Sequence, residues 1–402
     1  MRRLTPLALL VALLIATLTS LSACAPQAAQ LAATPTATLP APTPTLSPPT
    51  AVPSPEATVT PALPSDAEIA DQIGTLMGKL VDAGLFNGVV LVARDGKVLF
   101  SQGYGMADRE KQIPITSSTQ FYIGAITSQF TAAAIMILQQ DGKLSVQDSI
   151  CKYLPGCPDA WQAITIHQLL THTAGFAAFS QPFADASPPV TSSDMLAKIK
   201  QLPLSTNRQS NFGYNVVGYI LAGLIVEQVS VMPYGQFLQE KIFGPLEMVD
   251  SGYPYAGKQA AIGYYNASSP RPHPFEPTVL QGYGGVYSSA QDMLRWSQAL
   301  YTDTLLTEAS REAMFSVEAP IDQRIILPWA GGSNFAGYGY GAFVGSMQGH
   351  RVAVHPGDNY GFRTDFARFP DDGVTIIVLC NDESSPALTV REMVIGILFG
   401  AQ

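Results

Sequence analysis

The chain has 402 residues, 47% of them hydrophobic and 13% charged, with a formal net charge of −9. That apolar content supports a sizeable core, in one large domain or two ordinary ones. The negative charge is spread without a basic block, which argues against nucleic acid as a partner.

In chain order, Arg2 and Arg3 come first and precede the apolar run "LALLVALLIATL", which ends in "LSAC" at Leu21 to Cys24. Two charges, roughly a dozen apolar residues and a small-residue cleavage site describe an export signal, and the run is short for a membrane span. Cys24 after Leu-Ser-Ala resembles the lipobox of bacterial lipoproteins, in which that cysteine carries the lipid. An ordinary signal peptide with an incidental cysteine is the alternative. Residues 25–65 are dominated by Ala, Thr, Pro and Ser. Such a segment forms no core and favours extended polyproline conformations at about 3.1 Å per residue. It suits a tether that holds a domain on the order of 100 Å from a membrane.

The globular part begins near residue 65, where "SDAE" supplies a cap and early acids for a helix over residues 65–84. "GVVLVARDGKVLFSQGYG" alternates about the turn Arg94-Asp95-Gly96 and predicts a β-hairpin. Helical patterns dominate residues 124–315: "SQFTAAAIMILQQDG", "TIHQLLTHTAG", "DMLAKIKQL", "VVGYILAGLIVEQVS", "PYGQFLQEKIFGPL" and "SAQDMLRWSQALY". Strands return in "RVAVHPG", "GFRTDFARFP" and "GVTIIVLCND", and "SPALTVREMVIGILFG" predicts a closing helix. Strands at both ends around a helical block predict an α+β fold, with one sheet assembled from distant segments and a helical lobe beside it.

Cys151 and Cys157 flank the short loop "KYLPG", and in an exported protein a bridge between them is expected. The alternative is two partly buried free thiols. Cys380 closes "VTIIVLC" and reads as an inert core residue. The five histidines form no H-E-x-x-H or Cys/His cluster, so neither a metal nor a cofactor is expected.

From about residue 66 to 400 the chain resembles the penicillin-recognising serine hydrolases, the group of class C β-lactamases, D-alanyl-D-alanine carboxypeptidases and related esterases. The landmarks run in order: "VVLVARDGKVLFSQGYGMAD", "FYIGAITSQFTAAAIMILQQDGKLSVQDSI", "KYLPGCP", "ITIHQLLTHTAGF", "FGYNVVGYILAGLIVEQVS", "GGVYSSAQDMLRWSQAL" and "HPGDNYGFRTDFARFPDDG". The resemblance implies a β-lactamase/transpeptidase-like fold. In it an antiparallel sheet is flanked by the N- and C-terminal helices and joined to the mainly helical lobe. It also implies a catalytic Ser-x-x-Lys at the start of the first helix of that lobe, on one helical face, so that the amine takes the hydroxyl proton. Here those positions are Ala125 and Ser128. Alanine has no lone pair to attack with, and a serine is no base near neutral pH.

The family's Tyr-x-Asn motif matches Tyr214, Asn215 and Val216: the phenol is kept and the substrate-binding amide is replaced by an apolar branch. Moving the amide role to Asn215 would aim it elsewhere. The Lys-Thr-Gly or His-x-Gly motif matches His355-Pro356-Gly357. The resemblance implies that His355 contacts a substrate carboxylate or the Tyr214 oxygen, and that the oxyanion hole uses the amides of Asp358 and Ala125. A ligand site would then comprise Ala125, Tyr214, Asn215, His355, Gly357 and Asp358. The chain's one Ser-x-x-Lys, Ser149 to Lys152, lies in the cysteine loop and reads as a chance pattern. His172 in "LLTHTAGF" reads as scaffold.

Three functions follow from the resemblance. The first is an exported, membrane-tethered pseudoenzyme that binds a peptidoglycan stem peptide or another small acyl or peptide ligand. The second is an active hydrolase with a substitute nucleophile, Ser128 or Thr127, activated by Tyr214. The third is a non-catalytic interaction scaffold.

Overall fold

Ser65 starts the first helix, α1 (Asp66–Asp82), through a capping box in which its hydroxyl accepts the Glu68 amide and the Glu68 carboxylate accepts the Ser65 amide. Ile69, Ile73 and Met77 recur every fourth residue and form its buried stripe. The computed structural model describes residues 65–176, 189–204, 212–255, 257, 260–266, 272–274, 276–322 and 334–400, all within one unit spanning 61–402. The signal segment, Cys24 and the linker as far as residue 64 lie outside the described residues.

The strands are β1 (Gly88–Arg94), β2 (Lys97–Tyr104), β3 (Met106–Asp108), β4 (Ile113–Pro114), β5 (Phe121–Tyr122), β6 (Tyr287–Ser288), β7 (Ala319–Pro320), β8 (Asn334–Tyr338), β9 (Phe343–Met347), β10 (His350–Asn359), β11 (Phe362–Phe369) and β12 (Val374–Cys380). Eight of them form one antiparallel sheet in the order β2-β1-β12-β11-β10-β9-β8-β7. The apolar runs "GVVLVA" and "VTIIVLC" become the central strands β1 and β12, which pair over their whole length and are covered on both faces.

After α1 the helices are α2 (Thr127–Gln140), α3 (Ile166–Leu170), α4 (Ser192–Ile199), α5 (Val217–Ser230), α6 (Tyr234–Leu238), α7 (Ala290–Ala299), α8 (Glu308–Phe315) and α9 (Ala387–Phe399). α1 and α9 cover one face of the sheet, and α7 packs on the other, beside the helical lobe built around α2 and α5. Both lobe helices are buried on nearly every face, which is why their sequences read as continuous apolar runs.

Three expectations are corrected. "TIHQLLTHTAG" is helical only over Ile166–Leu170, because His172 takes a left-handed backbone (φ 56°). "PYGQFLQEKIFGPL" ends in a π turn over Gln239–Phe243. The strands β7, β8 and β9 lie in segments for which the sequence predicts no strand. β7 has two residues, β8 and β9 each carry a glycine, and neither gives a strong strand signal.

Cys151 and Cys157 are joined in a disulfide, and Cys380 is buried with its thiol pushed up by burial. One charged pair is deep in the structure: Arg391 of α9 meets Asp365 of β11 at 2.8 Å, with both side chains 1% exposed or less. Removing one partner of such a pair leaves an uncompensated buried charge, which costs about 3–5 kcal/mol. Asp365→Ala is therefore expected to lose that much in denaturant unfolding. Asp365→Leu/Arg391→Met should lose far less, and equal losses would show that the charge pairing is not what the site requires.

Candidate active site

β9 accompanies β10 only as far as Val354, which pairs with Phe343. Residues beyond Val354 have β11 on one side, and on the other they face a 3₁₀ turn, Gly124–Ile126, that leads into α2. Two glycines allow this approach. A Cβ on Gly357 would lie 2.1 Å from the Ile123 carbonyl oxygen, and one on Gly124 (φ 55°) would lie 2.9 Å from the Asp358 carbonyl oxygen. The turn therefore places Ala125 beside Gly357 and Asp358.

A cavity of about 70 Å³ opens there, lined by Ala125, Tyr214, Tyr283, Pro356 and Asp358. Sites for drug-sized ligands run to roughly 300–1,000 Å³, so this one admits only a small acyl-sized group. Ala125 presents a methyl group. Ser128, one helical turn on, is fully buried, and its hydroxyl has no hydrogen-bond partner. The Thr127 hydroxyl, also fully buried, accepts the Val286 amide at 3.2 Å. Tyr214 is half-buried and exchanges a 3.2 Å hydrogen bond with the Tyr283 hydroxyl, and burial holds its phenol well above the usual range.

Two predicted ligand contacts are redirected. Asn215 accepts the Gly218 amide at 3.1 Å and donates to the Gly213 carbonyl at 2.8 Å, so it caps α5 and does not line the cavity. His355 is fully buried: Nδ1 donates to the Pro356 carbonyl (2.7 Å) and Nε2 accepts from the Tyr338 hydroxyl (3.1 Å). The tautomer follows from those two partners. His355 meets Tyr214 only ring to ring, with centroids 6.1 Å apart. Val216 sits half-buried at the start of α5. Asp358 is exposed and pairs with Arg363 at 3.0 Å. Gly357 acts through its missing side chain.

Sequence reasoning missed Tyr283 and Tyr338. Both lie in glycine-rich stretches, "QGYGGVY" and "FAGYGYG", where no periodicity marks a face. The Ser149-x-x-Lys152 pattern is spent on local structure. Ser149 donates to the Gln162 carbonyl at 2.8 Å, and Lys152 pairs with Asp148 at 2.9 Å.

Under the cavity, His172 packs against Phe212, Tyr214, Tyr219 and Tyr338, and its Nδ1 accepts the Asn215 amide at 3.3 Å. Burial lowers its imidazole to about 3 and that of His355 to about 4. Both values lie below the unfolded value near 6.5, so the unfolded chain takes up these protons first. The stabilisation is complete above pH ~6.5 and is lost as pH falls towards 4, by up to about 1.4 kcal/mol per pH unit for each imidazole. Asp365, raised to about 7 by burial, works in the opposite sense across that whole window and offsets the contribution of about one of the two imidazoles. Denaturant midpoints measured at pH 7, 6 and 5 should therefore fall. His355→Gln should show a flatter dependence, and a slope identical to that of the parent would refute the assignment.

A hollow between a sheet strand and the first turn of a lobe helix is the frame that the sequence motifs anticipated. The family model "Beta-lactamase" matches residues 73–396. The chain belongs to the beta-lactamase family. Among relatives, it is 30% identical over 332 residues to penicillin-binding protein 4* of Bacillus subtilis (strain 168), covering 77% of this chain and 71% of that protein. The octameric penicillin-binding protein homologue from Pyrococcus abyssi superposes with a TM-score of 0.73 at 24% identity, over 83% of this chain and 78% of that one. A D-amino acid amidase from Ochrobactrum anthropi SV3 superposes at 0.71 with 22% identity, over 83% and 98% of the two chains. These two likenesses speak for the fold. In this beta-lactamase-family member, Ala125 and Asp358 border one cavity, whose lining residues among those described offer no hydroxyl–amine pair.

Proposed function

We propose that this protein is an exported, lipid-anchored member of the beta-lactamase family that binds an acyl or peptide group without cleaving it. The observation that carries this reading is the pair Ala125 and Ser128: a methyl at the cavity wall, and one turn on a hydroxyl with no solvent exposure and no partner. Nucleophile and base act as a unit, and loss of the nucleophile alone costs about 10⁶ in turnover in a serine protease. A substitute nucleophile at Ser128 or Thr127 would have to leave a fully buried position, and a misplacement of about 1 Å can already cost on the order of 100-fold.

The ligand class proposed is a peptidoglycan stem peptide or a related acyl compound, of which the cavity takes one small end. The names of the relatives, penicillin-binding proteins and a D-amino acid amidase, support that class. The anchor rests on Arg2, Arg3, the apolar run and Cys24, and it places the domain on the extracytoplasmic side of the membrane. One observation favours a second reading, a pure interaction scaffold: the cavity is only about 70 Å³.

Exposure of the full-length protein to a fluorescent penicillin and a chromogenic ester, read by intact mass and turnover, tests the first reading. The expected result is no adduct and no turnover, with a stem-peptide analogue binding reversibly. An adduct on any serine or threonine overturns it. Absence of any reversible binding leaves the scaffold.

A further inference from the structure

On the lobe-facing side of β10 and β11, between the sheet and the segments at the end of α7 and in α8, lies a cleft of about 420 Å³. Three arginines line it, and two of them are already matched: Arg351 pairs with Asp371 at 2.7 Å, and Arg311 pairs with Asp303. Arg368 differs. It is 3% exposed, its guanidinium lies 4.3 Å from the Tyr301 ring centroid and 5.2 Å from that of Phe315, and its Nε has no partner. Among the described residues no carboxylate forms an ion pair with it.

A buried guanidinium without an anion is costly. The effective penalty is several kcal/mol, of which cation–π stacking returns about 2 kcal/mol or more when desolvated. Among the described residues the other buried arginine, Arg391, is answered by Asp365. Burial lowers Arg368 to about 10, so it is still charged at neutral pH.

We propose that this cleft binds a small monocarboxylate bearing an apolar group, its carboxylate on Arg368 and its body against Tyr301 and Phe315. The guanidinium fork matches a carboxylate's two oxygens. Leu300, Val344 and Pro370 supply apolar wall, and the exposed Glu312 carboxylate at the rim disfavours a dianion. The volume lies within the range of small-molecule sites. The site is separate from the Ala125 cavity: Arg368 is four residues along β11 from Thr364, whose hydroxyl reaches the Ile123 carbonyl, or roughly 13 Å at the rise of a strand. It therefore stands or falls independently of the proposed function.

The test is calorimetric titration of the full-length protein with benzoate, inorganic phosphate and benzamide. The expected result is saturable benzoate binding in the millimolar range or tighter, weaker phosphate binding and no benzamide binding. Arg368→Gln should weaken benzoate roughly tenfold or more. Because removing a buried arginine can disturb folding, a second variant is paired with it. Ala353→Leu, from the residue opposite Arg368 on β10, fills the cleft with the arginine retained and should also abolish binding while leaving the circular dichroism spectrum unchanged. No saturable benzoate binding, or undiminished binding by Arg368→Gln, overturns the site. Tighter binding of phosphate than of benzoate overturns the carboxylate assignment.

Discussion

The triple variant Ala125→Ser/Ser128→Lys/Val216→Asn is expected to form a covalent adduct with a fluorescent penicillin, while the parent protein forms none. The expectation rests on two observations: the 3₁₀ turn lies against Gly357 and Asp358, and residues 125 and 358 border one cavity. Position 125 lines that cavity, so a serine there would face a bound carbonyl. Position 128, one turn on in α2, would bring an amine to the same helical face. The residual rate of such frames without their nucleophile is low, and the unit is worth about 10⁶ in turnover, so adduct formation should rise by several orders of magnitude even if the repair is imperfect. Intact mass after a fixed exposure reads the result. A triple variant that stays folded and unlabelled would mean that the cavity no longer accepts an acyl group, and would move the proposed function to the scaffold reading.

Gly357→Ala is expected to cost about 3 kcal/mol or more and to remove whatever binding the cavity has. The added Cβ would sit 2.1 Å from the Ile123 carbonyl oxygen and 2.2 Å from the Thr364 hydroxyl oxygen, contacts that real side chains do not make. Neither neighbour has room to give. Ile123 immediately precedes the turn, and Thr364 is the register partner of Gly357 and donates to the Ile123 carbonyl at 3.0 Å. Overpacking of a tight core usually costs about 1–3 kcal/mol, and a backbone clash belongs at the top of that range. Gly78→Ala is the control. It lies within α1 with nothing near its added Cβ, and should stabilise by about 0.5–1 kcal/mol through helix propensity alone. Urea unfolding of both variants separates the two cases, and a Gly357→Ala protein as stable as its parent would mean that the turn and the strand are not locked together.

Much of this molecule can be read locally. The Ser65 cap, the Arg94-Asp95-Gly96 hairpin, the apolar runs of β1 and β12, the Cys151–Cys157 bridge and the order of landmarks each depend on residues close together in the chain. So does the placing of Ala125 and Ser128 on one face, which helical spacing alone sets, whereas their catalytic reading is what the family resemblance implies. The order of elements thus determined the fold class, and the family resemblance implied that Ala125 and Ser128 stand at the nucleophile and base positions. Only the tertiary structure decided where the polar side chains turn. Asn215 caps α5, His355 turns inward to Tyr338, Tyr283 joins the cavity wall, and Arg368 is buried with no ion-paired carboxylate among the described residues. The physical reason is that these outcomes depend on strand register and on partners such as Tyr214 and Tyr283, 69 residues apart. Periodicity reports which face is buried, and packing between distant segments selects the partner.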